Sequence, residues 1–280
     1  MVFNKTMEVE DFQDIIYKKE PNGILTVTLN RPERKNALSP LTLLELWHAV
    51  NHAEEDEEIR VMILTGCEEA NAFCSGGYFS EDMFEKIPQE YRKEIDIMDM
   101  ASKKLCLKFW DFTKPIITAI NGLAVGGGFT LPLVCSDLNY IAEDAWIALY
   151  FIKRAVMTDF ATSYLLPLVV GFQKAKELFF MGEKLSAQEA YEFNLGINKV
   201  LPKKDLMPYV RKQAFKLIPP KAPSVSIKLM KQAMHSHYRE ILKNQLDLEN
   251  KYWKKTLRTK DFNESLKALT QKREPKFIGK

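Results

Sequence analysis

The centre of the chain is PIITAINGLAVGGGFTLPLVCSD, residues 115–137. It opens with an apolar run, residues 116–120, that is short enough for a buried strand. The Asn-Gly pair at 121–122 predicts a turn. Three glycines, residues 126–128, then precede a second apolar run, 129–135, which we interpret as a buried helix. The stretch therefore predicts a strand, a glycine-rich turn and a helix in immediate succession.

Glycines at the start of a helix leave backbone N–H groups uncovered by side chains. The helix dipole adds partial positive charge at the same place. Such an arrangement stabilises an anion, either a bound phosphate or an oxyanion that develops during a reaction. A loop in which glycine only permits a tight turn or a close backbone approach is the alternative, and this stretch alone leaves both open.

Five further stretches accompany this one. NRPERKNAL (30–38) precedes the strand-like VMILTG (61–66), and NAFCSGGYFS (71–80) follows it, while RTKDFNESL (258–266) and QKREPKF (271–277) lie near the end of the chain. In order and spacing, these stretches resemble the crotonase (enoyl-CoA hydratase/isomerase) superfamily. The resemblance extends from about residue 14 to residue 280.

The resemblance implies an α/β fold, a crotonase-like spiral of ββα units with a helical C-terminal oligomerisation region. We expect a core domain at residues 1–203 and the helical region at 204–280, with the prolines at 219, 220 and 223 as the main interruption of the helices. In the family this region builds a trimer or a dimer of trimers. Apolar residues scattered among charges there favour such an assembly: Leu246, Leu248, Tyr252, Trp253, Leu257 and Phe262.

Local patterns predict several elements of this fold. Two β-rich runs, 15–18 and 23–29, flank a Pro-Asn-Gly turn and indicate a hairpin. Ser39-Pro40 is typical of a helix start, and the strand expected at 61–64 then makes a parallel crossover unit. A further helix is expected over residues 158–170.

Composition is that of an ordinary globular protein, with 280 residues, 46% hydrophobic, 28% charged and a net charge of +3. Basic residues are interspersed with acids, so no nucleic-acid partner is expected. No apolar run approaches the length of a membrane span, and the acidic N-terminal stretch is unlike a leader, so we expect a cytoplasmic protein. Four separated cysteines without C-x-x-C spacing indicate reduced thiols and no metal site. The four histidines are interpreted as surface residues.

The resemblance also implies an acyl-CoA thioester as the substrate. Coenzyme A enters as part of that substrate, and no other cofactor is expected. Two backbone N–H groups, those of Gly77 and Gly127, are expected to form the oxyanion hole that holds the thioester oxygen. Residues expected to contact the substrate are Arg34, Lys35, Ala37, Cys74, Ser75, Tyr78, Phe79, Thr130, Phe151 and Lys272. Arg31 and Arg273 are further candidates for the phosphates, with solvated surface charges as the alternative for each.

The chain departs from the hydratases at their acid–base residues. Those enzymes use two glutamates, and the first position falls here on Thr130, or on Leu131 if the glycine segment is one residue longer than usual. The second falls on Phe151. Hydration needs one group to activate water and another to manage the proton at C2. Addition of water by the usual pair is therefore not expected.

A different carboxylate stands in AVMTDFATSYLLPLVVG, residues 155–171. Asp159 in this stretch resembles the single acid of the enoyl-CoA isomerases and the nucleophile of 4-chlorobenzoyl-CoA dehalogenase. The dehalogenase's histidine and tryptophan fall here on Lys103 and Phe151, which disfavours that relative. Asp at a helix start is also a common N-cap, which is the structural alternative for Asp159.

A lone carboxylate suits a double-bond shift, because one group removes a proton and returns it elsewhere. The sequence therefore favours an enoyl-CoA isomerase with Asp159 as its base. The alternatives are an acyl-CoA hydrolase or dehalogenase acting through an aspartyl ester, an enoyl-CoA hydratase, and a non-catalytic acyl-CoA binder.

Overall fold

The structure is a computed structural model that describes residues 6–78, 84–92 and 103–280. Within these ranges the strands are β1 (Ile15–Lys19), β2 (Ile24–Leu29), β3 (Val61–Gly66), β4 (Ala72–Cys74), β5 (Ile116–Ile120), β6 (Leu123–Val125), β7 (Leu138–Ala142), β8 (Trp146–Ala148), β9 (Lys184–Ser186) and β10 (Lys199–Leu201). The helices are α1 (Pro40–Glu55), α2 (Gln89–Arg92), α3 (Leu105–Asp111), α4 (Gly127–Cys135), α5 (Thr162–Val170), α6 (Phe172–Met181), α7 (Ala187–Glu192), α8 (Lys203–Lys216), α9 (Ser224–Ser236), α10 (Arg239–Thr256) and α11 (Lys260–Thr270).

A six-stranded sheet in the order β1-β2-β3-β5-β7-β10 forms the larger layer. β1 and β2 pair antiparallel across the predicted hairpin, whereas β2, β3, β5, β7 and β10 run parallel to their neighbours. β3 and β5 are buried along their whole length. Parallel strands covered on both faces read as continuous apolar runs, which is why both were visible in the sequence.

A second sheet has the order β4-β6-β8-β9. Its strands β4, β6 and β8 are each the next strand in the chain after a central strand of the first sheet, β3, β5 and β7 respectively. β5 in the large sheet is followed by β6 in the small one and then by α4, and β7 is followed in the same way by β8 and α5. This alternation is the predicted spiral of ββα units. It brings the ends of β4 and β6 side by side, because these two strands pair in parallel.

Helix α1 begins as predicted, with Ser39 and Thr42 forming a reciprocal capping box and Pro40 at the first helical position. Most of the helix is buried. His48 is buried with it, so its interpretation as a surface residue was wrong. Its Nδ1 accepts a hydrogen bond from the Met7 N–H at 3.4 Å, since the N-terminal segment covers this part of the helix. The four cysteines are free thiols and all are buried.

The C-terminal helices share the hydrophobic core of the sheets. Leu206, Val210 and Ala214 recur every fourth residue on α8 and are buried in that core. Leu242 and Leu246 of α10 join the same core. The domain boundary at 203/204 stays a prediction. Among the described residues, no helix has the length and apolarity that crossing a membrane requires.

Candidate active site

Two glycine segments contact each other where β4 and β6 end. A Cβ on Gly128 would lie 2.2 Å from the carbonyl oxygen of Cys74, so only glycine permits this approach. Gly76 has φ +95°, and a Cβ there would lie 2.6 Å from the carbonyl oxygen of Val125 and 3.7 Å from the Gly127 nitrogen. The glycines at 76–77 and 126–128 therefore form one backbone-lined surface.

The two N–H groups predicted for the oxyanion hole lie on this surface. Leu38 makes a parallel bridge opposite Gly77, in which the Leu38 N–H donates to Gly76 O at 2.8 Å and the Tyr78 N–H donates to Leu38 O at 2.9 Å. That bridge does not use the Gly77 N–H. Gly127 is the first residue of α4, where an N–H has no partner within its helix. Within the described part of the chain, neither N–H makes a hydrogen bond.

Asp159 lies directly beside Gly127. Its Oδ2 is 3.1 Å from the point where a Cβ on Gly127 would stand. Its Oδ1 accepts a hydrogen bond from the hydroxyl of Thr130, one turn into α4. The carboxyl group is thus held against the glycine surface by a residue of the helix that begins there.

Burial raises the pKa of Asp159 to about 7, and the hydrogen bond from Thr130 acts in the opposite direction. Among the described residues, no Lys or Arg forms an ion pair with it. A group with a pKa near neutrality can both take up and release a proton at physiological pH, which is the property that general acid–base catalysis requires.

Asp159 is not an N-cap. The helix expected from residue 158 begins at Thr162, and its N-cap residue, Ala161, provides no side-chain cap. The first N–H groups of α5 are instead bound by Glu249 from α10. Because capping does not occupy the Asp159 carboxyl, the structural alternative raised from the sequence fails, and the carboxyl remains available to the glycine surface.

The residues that the resemblance assigns to the positions of the hydratase glutamates lie beside the glycine surface. The Thr130 hydroxyl faces Asp159, which identifies Thr130 rather than Leu131 as the α4 residue on the site. The ring of Phe151 is buried and lies 3.8 Å from the point where a Cβ on Gly126 would stand. An alcohol and a phenyl ring therefore line the site on either side of the glycines.

Several predicted substrate contacts lie together at the edge of the glycine surface. The Ser75 N–H donates to Lys35 O at 3.0 Å, and the Ser75 hydroxyl donates to Arg34 O at 3.1 Å. The Arg34 guanidinium lies 5.5 Å from the centroid of the Tyr78 ring. The buried Ala37 follows in the same segment, whereas Arg34 and Lys35 are exposed. This leaves two exposed cations beside the half-buried ring of Tyr78.

Arg31 does not share this exposure. It is buried, lies 3.2 Å from Asp14, and donates to the carbonyl oxygen of Ala37 at 2.6 Å. Its guanidinium carbon is 4.7 Å from the centroid of the Tyr78 ring. Arg31 therefore stabilises the segment of residues 31–37 from inside the fold. The expectation that it contacts phosphates was wrong.

Other predicted residues lie apart from the glycine surface or outside the described ranges. Arg273 is paired with Glu264 at 2.6 Å. Lys272 is exposed just after α11, and its contact with substrate stays a prediction. Phe79 falls outside the described residues. Lys103, at the dehalogenase's histidine position, is paired with Asp247 at 2.7 Å.

Cys74 lies under the glycine surface as a neutral thiol. Burial raises the pKa of Cys74 to about 12, and the negative charge of Asp159 contributes in the same direction. A thiol that remains protonated is a poor nucleophile. Cys74 therefore contributes packing and a backbone carbonyl to the site, and Asp159 is the group with a pKa suited to proton transfer.

A groove of about 450 Å³ lies elsewhere, between the end of α1, the start of β5 and α9. Acidic and basic side chains alternate along it, among them Glu54, Arg60, Lys114 and Lys228. None of the glycine-surface residues lines it. We therefore place the candidate active site at the glycine surface, where the chemistry-bearing groups converge.

Known proteins share this architecture. Residues 19–280 match the family model described as enoyl-CoA hydratase/isomerase. The 1,2-epoxyphenylacetyl-CoA isomerase of Escherichia coli K12 is 31% identical over 270 residues, which cover 95% of this chain and 99% of the relative. The short-chain-enoyl-CoA hydratase of Clostridium acetobutylicum is 30% identical over 263 residues, 94% of this chain and 97% of the relative.

A crystal structure of an enoyl-CoA hydratase/isomerase from Pseudoalteromonas atlantica superposes with a TM-score of 0.82 at 26% identity, covering 95% of this chain and all of that one. The fold and the site thus define a crotonase-type protein. The chain belongs to the enoyl-CoA hydratase/isomerase family, as the sequence predicted.

Sequence reasoning missed one functional candidate, Glu249. It lies on α10, 86 to 88 residues along the chain from the groups it binds beside Asp159. Its flanking sequence, DLENKYW, is that of an amphipathic helix with several charges, so nothing local distinguishes it from a solvated glutamate. Only the packing of α10 on α5 reveals its position.

Proposed function

We propose that the protein is an enoyl-CoA isomerase in which Asp159 moves the proton. One observation carries the proposal: a single carboxylate with a pKa near 7 lies against Gly127 and accepts a hydrogen bond from Thr130. The resemblance assigns Thr130 and Phe151, neither of them an acid, to the positions of the hydratase glutamates. A site with one proton-transfer group is suited to moving a proton and poorly suited to adding water.

The reaction follows from this geometry. Asp159 removes a proton from C2 or C4 of an unsaturated thioester, and the negative charge spreads into a dienolate whose thioester oxygen is held by the N–H groups of Gly77 and Gly127. Each such donor typically contributes about 3 kcal/mol to a transition state of this kind. The protonated Asp159 then returns the proton at the other carbon. Removal at C2 of a 3-enoyl thioester with return at C4 leaves the double bond in conjugation, and removal at C4 with return at C2 is the reverse reaction.

The relatives bear on this choice only in part. One is named a 1,2-epoxyphenylacetyl-CoA isomerase and another a short-chain-enoyl-CoA hydratase. The preference for isomerisation therefore depends on the residues at the site. An aspartyl ester mechanism uses the same carboxyl as a nucleophile, but Lys103 pairs with Asp247 where the dehalogenase has its histidine.

Further properties belong to the same proposal. Coenzyme A would enter as part of the substrate, with Arg34 and Lys35 near its phosphates and no additional cofactor. We expect a homotrimer or a dimer of trimers located in the cytoplasm.

The test is direct conversion of a 3-enoyl-CoA to its conjugated isomer, followed by absorbance, while mass spectrometry detects any product that has gained water. Asp159→Asn should lower kcat by roughly 10²–10⁴-fold, because an amide cannot take up the proton. The variant should keep its fold, since the amide oxygen can still accept the Thr130 hydroxyl. Full turnover by Asp159→Asn would place the base elsewhere.

Two further outcomes separate the alternatives. Incorporation of label from water into Asp159 during one turnover would favour the ester mechanism. Thioester binding without exchange of a C2 or C4 proton into deuterated water would favour a non-catalytic binder.

A further inference from the structure

One face of helix α10 contacts the loop that carries Asp159, on both sides of that residue. Gln245, Glu249 and Trp253 are spaced by four residues, so their side chains lie one above another. The Trp253 indole N–H donates to the carbonyl oxygen of Thr158 at 3.1 Å, on the N-terminal side of Asp159. Gln245 and Glu249 bind the chain on the C-terminal side.

Glu249 makes the central contacts. One carboxylate oxygen accepts the Ala161 N–H at 2.8 Å, and the other accepts the Ser163 N–H at 3.0 Å and the Ser163 hydroxyl. The Gln245 amide donates to the same hydroxyl at 2.8 Å. Glu249 is fully buried. It therefore does for α5 what a local N-cap does in other helices, from a helix that is distant in sequence.

The loop between Asp159 and α5 needs such a restraint. Phe160 and Ala161 have φ of +53° and +56°, in the left-handed region that residues with side chains rarely adopt. Two consecutive residues of this kind persist only where the surroundings fix them. Glu249 binds the second of them directly, and this turn sets the direction in which the preceding Asp159 side chain leaves the backbone.

We propose that Glu249 is the positioning residue of the site, which fixes the left-handed turn at 160–161 and thereby holds the Asp159 carboxyl against Gly127. This inference rests on the proposed function, because it assigns Glu249 a part in the proton transfer by Asp159. Glu249 acts through the backbone at Ala161 and Ser163, which separates it from a group that touches the substrate.

The charges of the two acids are also linked. The pKa of Glu249 is raised to about 7, chiefly by burial, and the charge of Asp159 contributes in the same direction. Repulsion acts on both partners, so removing the Glu249 charge should lower the pKa of Asp159. Cys106 on α3 also faces the pair, and burial raises the pKa of its thiol well above the usual value, so it stays neutral. No Lys or Arg in the described ranges pairs with Glu249.

Glu249→Gln tests the proposal. The amide has one oxygen, so it cannot accept from both Ala161 and Ser163. We expect kcat to fall by about 10- to 100-fold, the effect of a small misplacement of a catalytic group, while KM stays close to the wild-type value. The acid limb of the pH profile should move to lower pH. Glu240→Gln makes the same charge change at an exposed position of the same helix, and it should leave both kcat and the acid limb of the pH profile unchanged.

Two milder variants keep the test valid if Glu249→Gln does not fold, which circular dichroism would show. Ser163→Ala removes one donor to Glu249, and Trp253→Phe removes the indole N–H at Thr158. Each should lower kcat in the same direction by a smaller factor without changing KM. A wild-type kcat and pH midpoint in all of these variants would overturn the proposal.

A titration that needs no activity separates this proposal from the proposed function. The carboxyl ¹³C signal of Asp159, assigned by its loss in Asp159→Asn, should titrate at a pH different from wild type in Ser163→Ala and in Trp253→Phe, which disturb the loop without changing any charge. A shifted titration in a protein without isomerase activity would support the positioning role and reject the proposed function. An unshifted titration together with unchanged turnover in an active isomerase would reject the positioning role.

Discussion

Asp159 combines a buried carboxyl group with a single side-chain hydrogen bond. Burial outweighs that bond and raises the pKa of Asp159 from 3.8 to about 7. An ordinary surface aspartate would be fully ionised at neutral pH and a weak base. The environment of this one residue, more than its identity, therefore gives it the strength that proton abstraction requires.

The pH dependence of turnover should report this ionisation. If ionised Asp159 is the base, kcat/KM should rise about tenfold per pH unit below pH 7 and level off above it. Thr130→Val removes the hydrogen bond that lowers the pKa of Asp159, so the midpoint should move to higher pH. A pH-independent rate between pH 5 and pH 9, at about constant KM, would exclude Asp159 as the titrating base.

The same shift predicts an effect on stability. The folded-state pKa of Asp159 lies above its unfolded value, so between about pH 4 and pH 7 the folded chain holds a proton that the unfolded chain has released. The stabilisation that this bound proton gives to the folded chain is therefore lost as pH rises through this window. Asp159→Asn cannot ionise, and its melting temperature relative to wild type should rise from pH 5 to pH 8. Parallel melting curves across that range would contradict the raised pKa.

Arg34 and Lys35 give a separate prediction at residue scale. Both are exposed beside Tyr78, which suits them to coenzyme A phosphates. Arg34→Ala should weaken binding of a CoA thioester and reduce its salt dependence, because one screened charge contact is lost. Arg273→Ala is a suitable control, since that cation is paired with Glu264. Calorimetry at two salt concentrations measures the affinity for the thioester and its salt dependence. An equal loss of affinity in the two variants would show only a general charge effect.

At the scale of elements, α4 depends on two neighbouring glycines for different reasons. A Cβ on Gly128 would meet the Cys74 carbonyl at 2.2 Å, which the backbone cannot absorb. A Cβ on Gly127 would approach Asp159 Oδ2 at 3.1 Å and two flexible side chains at 3.4–3.5 Å. The first glycine of the pair thus borders the reacting groups, while the second permits β4 and α4 to approach.

Alanine at these two positions should therefore have distinct effects. Gly128→Ala should lower the free energy of unfolding by about 3 kcal/mol, as expected for overpacking against backbone. Gly127→Ala should cost far less stability but lower kcat, because it displaces the Asp159 carboxyl. Denaturant unfolding and turnover measured on both proteins check this. Equal destabilisation by the two substitutions would contradict the separate roles.

The elements also show how far the sequence predicts the site. The helix start at Ser39-Pro40, the hairpin of β1 and β2 and the helix after the three glycines follow from local patterns and were predicted. The start of α5 was misplaced by four residues, because its first N–H groups are bound by a carboxylate 86 to 88 residues away. The helix propensity of the local sequence contains no information about such a distant partner.

The whole molecule exposes apolar surface, but only in part where the sequence suggested. Leu246 and Trp253 of α10 pack into their own chain, so they cannot serve an interface. Leu248 and Tyr252 remain partly exposed. Larger exposure occurs on α9, where the exposed fractions of Leu229 and Met230 are 58% and 61%. Apolar surface of this kind commonly marks a contact between proteins.

We therefore expect a particle of three or six times the chain mass of 32.4 kDa, measured by light scattering at micromolar concentration. Charges introduced at Leu229 and Met230 (Leu229→Glu with Met230→Glu) should shift it towards monomer, because a buried unpaired carboxylate opposes association. Phe180→Glu on α6, an equally exposed apolar position, tests the other candidate face. Dissociation by Phe180→Glu alone would locate the interface on α6 and remove α9 from it. A monomeric wild-type protein would reject the predicted assembly altogether.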